Sequence, residues 1–241
     1  MRAVPGEAGD VIPSTRTAIA VLIAGLALAA TAGGCAPRGD QRVQFTATDG
    51  VQLVGYLQGV SGPGIVFAHS YRTDQRRWRE FADETAGAGF RTLTFDFRGY
   101  GESEGQRDVA TIDRDVEGAY RYLVGRKIRP VFLVGASMGG TAVVLVAARV
   151  PVAGVATLSA PIVLGGLDLD PSLPLLRAPK LFIAAEGDAT AAAAVQRFVE
   201  RTPDPKTVRM LPGDAHGMDL FASPAAPAVK AALRAFFAGS S

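Results

Sequence analysis

Cysteine is nearly absent from this chain of 241 residues: Cys35 stands alone, which excludes a disulfide within one molecule. Histidine is almost as scarce, with His69 and His216 the two examples. Any chemistry that needs an imidazole therefore has two places to find it. An excess of charge is missing too. The chain has 25 Lys and Arg against 23 Asp and Glu, and a net +2, small and dispersed, excludes a nucleic-acid-binding surface. The basic stretch Arg76-Arg77-Trp78-Arg79 has acids beside it and reads as a solvated helix face. The apolar run 18–30 has about a dozen residues where a bilayer-spanning helix needs about 20.

What is present is enough apolar material, 48% of residues, for one domain with a substantial core. The first thirty-odd residues differ from the rest. Arg16 precedes the run 18–30, and small residues then lead to Ala32-Gly33-Gly34-Cys35. A basic residue, a short apolar segment and small residues make a secretory signal. The stretch resembles a bacterial lipoprotein signal peptide, with Ala32 where that family usually has Leu. The resemblance implies a signal peptide over 1–34, a lipidated Cys35 with a short tether over 35–40, and leaves 41–241 as the domain held at the cell envelope. The alternative is an ordinary signal peptide cleaved nearby, with Cys35 a bystander.

Beyond the tether, alternating apolar positions at Val43 and Phe45, then at Val51, Leu53 and Leu57 past Asp49-Gly50, predict an antiparallel hairpin at a sheet edge. Short apolar runs at 65–68, 90–97, 131–136, 152–158, 180–185 and 207–211 predict further strands. Helical spacing predicts helices through Trp78, Phe81 and Thr85; through Ile112, Val116, Ala119 and Leu123; and over 141–148, 191–201 and 229–236. The connection 162–178 shows no clear period. Strands alternating with helices predict an α/β fold, a mainly parallel, doubly wound sheet with helices on both faces and a site at the carboxyl ends of its strands.

One stretch organises the remainder. The strand 131–136 runs without a loop into Gly135-Ala136-Ser137-Met138-Gly139, and a helix of small and aliphatic residues follows. Strand, sharp turn and helix are the context in which Gly-x-Ser-x-Gly exposes a nucleophilic hydroxyl. The two glycines answer the close approach such a turn imposes. A Ser hydroxyl is a weak nucleophile until a base takes its proton and a third group orients that base. His216, in a Gly-flanked loop after the last predicted strand, is the candidate base. His69, at the end of an early buried strand, reads as an imidazole that bonds backbone and shapes its loop. The acid should fall between Ser and His, and Asp188 directly follows a strand; Asp168 is the alternative, one strand earlier. An oxyanion site needs two N–H donors, expected from Met138 at the helix N-terminus and from Tyr71 in the loop after His69.

These landmarks, His69-Ser70-Tyr71, Asp96-x-Arg98-Gly99-x-Gly101-x-Ser103, the Ser137 turn, Asp188 and His216, resemble in their order the α/β-hydrolase superfamily from about Gln41 onward. Ser70 stands where the family usually has Gly. The resemblance implies that Asp96 and Arg98 shape a turn, and that 162–178 leaves a minimal lid or none. Leu164, Leu167, Leu169, Leu173, Leu175 and Leu176 are candidates to line an acyl pocket or to cover the sheet. The expectation is a serine hydrolase of carboxylic esters or thioesters, working through an acyl-enzyme without metal or organic cofactor. Its partners are a small-molecule substrate and, through Cys35, the membrane. An acyltransferase or peptidase of the same superfamily, or a silent binding lipoprotein, are the alternatives.

Overall fold

The computed structural model describes residues 1–3 and 40–239, so the signal segment and Cys35 lie outside the described residues. The edge hairpin forms as β1 (Gln41–Thr46) and β2 (Gln52–Gln58), paired antiparallel with Val43 opposite Gly55. Gly50, at φ +98°, makes the turn between them. After β2 the chain alternates strand and helix: β3 (Gly64–Ala68), α1 (Arg79–Gly87), β4 (Arg91–Phe95), α2 (Ile112–Gly125), β5 (Val131–Ala136), α3 (Met138–Ala147) and β6 (Gly154–Leu158). A two-residue hairpin, β7 (Val163–Leu164) and β8 (Leu167–Asp168), precedes β9 (Lys180–Ala185), α4 (Ala189–Arg201), β10 (Lys206–Leu211) and α5 (Ala226–Gly239).

The eight long strands lie in the order β1-β2-β4-β3-β5-β6-β9-β10. From β4 to β10 every pairing is parallel, and β1 and β2 run antiparallel at one edge. The central strands are buried on both faces, which explains their unbroken apolar sequences. Alternation still sorts their side chains. Ile65 and Phe67 of β3 join Phe132, Val134 and Ala136 of β5 in the core under α1 and α5. Val66 and Ala68 join Val131 and Leu133 in the core under α2, α3 and α4. Trp78 and Phe81 are buried in the first core, so the basic stretch 76–79 is only half a solvated face. Its arginines pair outward, Arg76 with Asp74, Arg77 with Asp219 and Arg79 with Asp40.

One expectation changes here, and one alternative is resolved. The strand predicted over 90–97 ends at Phe95, because the Asp96 carboxylate turns aside to accept the N–H of Gln75 at 2.9 Å and of Glu102 at 3.2 Å. Three leucines of 162–178 cover the sheet. Leu169, Leu173 and Leu176 are fully buried in the core that holds Phe182 and Phe198, and Leu175 faces solvent. Burying three leucines contributes roughly 1.5–3 kcal/mol each, which fixes the connection down as packing. Between β6 and β9 there is no helical lid, only the β7–β8 hairpin and a short turn at Leu173–Leu175.

Strand order also locates the site. From β3 the chain steps to β4 on one side, then crosses back to β5 on the other. That reversal opens a crevice at the carboxyl ends of β3 and β5. The loops carrying His69 to Tyr71 and Ser137 are the two that border it.

Candidate active site

Ser137 is the residue between β5 and α3, at φ 49° and ψ −113°. A non-Gly residue at positive φ is strained, and the surroundings must hold it there. Its N–H donates to Leu158 O at 2.7 Å, and its carbonyl accepts the N–H of Thr141 at 3.1 Å, starting the helix. The glycines leave room for the turn: a β carbon on Gly135 would sit 2.2 Å from Gly139 O, and one on Gly139 would sit 2.3 Å from Ala68 O. Neither position accepts even Ala without moving backbone.

Three loops converge on the Ser137 hydroxyl. His216, which follows β10, places Nε2 2.7 Å from Ser137 Oγ. Its Nδ1 lies 2.6 Å from Oδ2 of Asp188, the residue just before α4. A carboxylate only accepts, so Nδ1 carries the proton, and Nε2 of the neutral ring is left to accept from the hydroxyl. Asp188 is itself fixed: it caps α4, Oδ1 accepting the N–H of Ala191 at 3.2 Å. Asp168, the alternative acid, is exposed in β8 and accepts the N–H of Asp170. The cleft in front of Ser137 has a volume of about 270 Å³ and is lined by Ser70, Tyr71, Thr73, Ser137, His216, Met218 and Asp219. A larger depression of about 330 Å³ between β9, β10 and α5 contains none of the three converging side chains. Among the described residues, no group of three or more His, Cys, Asp or Glu is placed to hold a metal ion.

His69 lies apart from this chemistry. Its ring is fully buried, edge-on to Phe97 and Tyr100. Nε2 accepts the N–H of Phe97 at 3.1 Å, so Nδ1 holds the proton and donates to Ser70 O at 2.8 Å. Thr73 adds two more donors to that carbonyl, Oγ1 at 2.8 Å and N–H at 3.3 Å. With the Ser70 carbonyl held by three donors, the trans peptide plane sends the Tyr71 N–H the opposite way. Among the described residues, the amides of Tyr71 and Met138 have no acceptor.

Burial pushes the His69 pKa down from 6.5 to about 4. The folded protein thus binds the neutral ring, and its contribution to stability is complete above pH 6.5 and lost as pH falls toward 4. The loss amounts to about 3 kcal/mol. Urea unfolding between about pH 7 and pH 4.5 measures it, and His69→Gln, which cannot titrate, is expected to flatten the slope. Equal slopes for the two proteins would remove His69 as the cause.

The 96–103 segment is scaffold. Ser103 Oγ donates to Asp96 O at 2.6 Å and accepts the N–H of Val54 at 2.9 Å. Arg98 forks between Asp115, at 2.6 Å, and Asp49, at 2.8 Å, tying the turn to α2 and to the edge hairpin. Sequence reasoning missed Thr73, Met218 and Asp219 as cleft walls; the loop spacing carries no signal for them. It missed Ser159 too, a buried residue at φ 52° immediately after β6, whose Oγ has no partner among the described residues.

Fold and site geometry together define a hydrolase class, and comparison with known proteins places the chain in it. The chain belongs to the alpha/beta hydrolase family, whose sequence model matches residues 65–239. An uncharacterised protein of Mycobacterium tuberculosis is 28% identical over 194 residues, 70% of this chain and 69% of that protein. Among solved structures, an esterase of Pyrococcus furiosus superposes with a TM-score of 0.72 at 19% identity, over 82% of this chain and 89% of its own. A dienelactone hydrolase of Anabaena variabilis gives 0.71 at 23%, over 83% and 97%. At such identities the likeness concerns the fold.

Proposed function

We propose that the protein is a serine hydrolase of carboxylic esters with small acyl groups, acting through an acyl-enzyme. The observation that carries this reading is the single imidazole, that of His216, bridging Ser137 Oγ at 2.7 Å and Asp188 Oδ2 at 2.6 Å. Ser137 Oγ attacks the ester carbonyl carbon while its proton passes to His216 Nε2. The carbonyl π pair moves onto oxygen, where the N–H groups of Met138 and Tyr71 receive it. His216 then protonates the departing alkoxide, leaving the acyl group on Ser137. Water repeats the sequence: His216 takes its proton, hydroxide adds to the acyl carbon, and Ser137 leaves with the proton returned. Throughout, Asp188 holds the ring in the tautomer that leaves Nε2 free and offsets the positive charge it gains.

The preference for small acyl groups follows from the walls. The cleft, at about 270 Å³, lies below the usual range for drug-sized ligands, and Leu169, Leu173 and Leu176 are committed to the core. In a p-nitrophenyl series, kcat/KM is expected to fall about tenfold or more from butyrate to dodecanoate. A rise along that series would reject the small-acyl assignment. Hydrolysis that Ser137→Ala leaves intact would reject the serine mechanism.

In the same reading the chain is exported and held at the cell envelope by lipid on Cys35. Arg16, the apolar run 18–30 and the small residues before Cys35 support it. Cells fed an alkyne fatty acid should label the wild type and leave Cys35→Ser unlabelled. Equal labelling of the two would exclude Cys35 as the lipid site.

A further inference from the structure

Three loops meet beside the nucleophile, where Ser70, a wall of the cleft, faces Gly217. Ser70, from the loop after β3, is buried, and its Oγ reaches Ala136 O only at a long 3.4 Å. Its carbonyl has the three donors described above, so its backbone has no freedom to retreat. Gly217, next to His216, is buried at φ +56°. A β carbon there would stand 2.8 Å from Ser70 Oγ and 3.2 Å from Ser137 Cβ. A β carbon at Gly217 therefore has no room unless the Ser70 hydroxyl or the backbone beside His216 moves. On its other side the His216 backbone is held by a turn, Asp219 N–H donating to its carbonyl at 3.0 Å.

We propose that Ser70 and Gly217 are a size-matched pair of positioning residues that sets how closely His216 approaches Ser137. The proposal rests on the catalytic reading of Ser137 and His216 given above. Ser70 is the residue at which this chain departs from the Gly expected by resemblance, and its extra atoms occupy the room next to Gly217. Size at one position is thus limited by size at the other. Added bulk at either lifts the base loop, and a proton transfer across 2.7 Å does not survive a shift of about 1 Å without loss.

The test is a double-mutant cycle on the full chain, read by ester kinetics and by the rate of fluorophosphonate labelling. Gly217→Ala is expected to lower kcat about 100-fold and the labelling rate in proportion, while KM moves within about threefold. Ser70→Gly in the Gly217→Ala background removes the opposing atom and is expected to restore about tenfold; the rescue is partial because a β carbon at this positive φ still strains the backbone. Ser70→Val tests the same space from the other side, without backbone strain, and is expected to lower kcat with KM preserved. It carries the test if Gly217→Ala fails to fold, with circular dichroism verifying its own fold. Losses that simply multiply in the double variant, or a Ser70→Val enzyme with wild-type kcat, overturn the pairing. A wild type without Ser137-dependent activity would instead overturn the catalytic reading on which the pairing rests.

Discussion

Ser137→Ala is expected to reduce kcat toward a short-chain ester about a million-fold, to the background left by the oxyanion donors and binding alone. The physical reason is that the variant removes one atom and disturbs little else. Ala tolerates the turn no better and no worse than Ser does, because the strain at φ 49° belongs to the backbone, which is held by Leu158 O and by Thr141 N–H. The melting temperature should change little. His216→Ala should cost nearly as much, and the double variant no more than either alone, since hydroxyl and imidazole act as a unit. Steady-state hydrolysis of p-nitrophenyl butyrate, with each protein's unfolding measured in parallel, checks both claims. Independent, multiplying losses would separate the two residues into different roles.

Asp188→Asn is expected to lower kcat about ten-thousand-fold. The substitution keeps the side chain's shape and reverses one hydrogen bond. Asn offers an N–H to Nδ1, the ring answers by moving its proton to Nε2, and Nε2 then faces the Ser137 hydroxyl as a donor. The base is present but holds the wrong proton. The helix above survives, because Asn caps an N-terminus about as well as Asp and still offers an oxygen to Ala191 N–H. Loss of activity without loss of the α4 cap is thus the signature expected of an orienting acid. A fall of less than about tenfold would mean that another carboxylate, such as Asp168, serves His216.

The central architecture is visible in the sequence because buried parallel strands are apolar throughout and punctuated by glycines that have no substitute. Gly135 and Gly139 can be read as a sharp turn from the motif alone, and the 2.2 Å and 2.3 Å contacts of their missing β carbons are the reason. The scarcity of histidine reduces the search for a base to two residues, and the structure places one against Ser137 and buries the other. Elsewhere the information is not local. The tautomer of His69 depends on the Phe97 N–H, which comes from beyond the neighbouring strand. The leucines of 162–178 have no period to betray which side they face, and only the fold sends Leu169, Leu173 and Leu176 into the core and Leu175 to solvent. Ser159 looks like any strand-end serine until its φ of 52° is known. The same holds for Ser70 and Gly217, 147 positions apart by their numbers and in contact only through the fold.

The most direct test of the central claim, that Ser137 carries an activated hydroxyl, is the intact mass of the protein after brief exposure to a fluorophosphonate, followed by peptide mapping. One adduct per chain is expected, on Ser137, absent from Ser137→Ala and slowed by Asp188→Asn. A folded protein that takes up no adduct, or takes one at a residue other than Ser137, would contradict it.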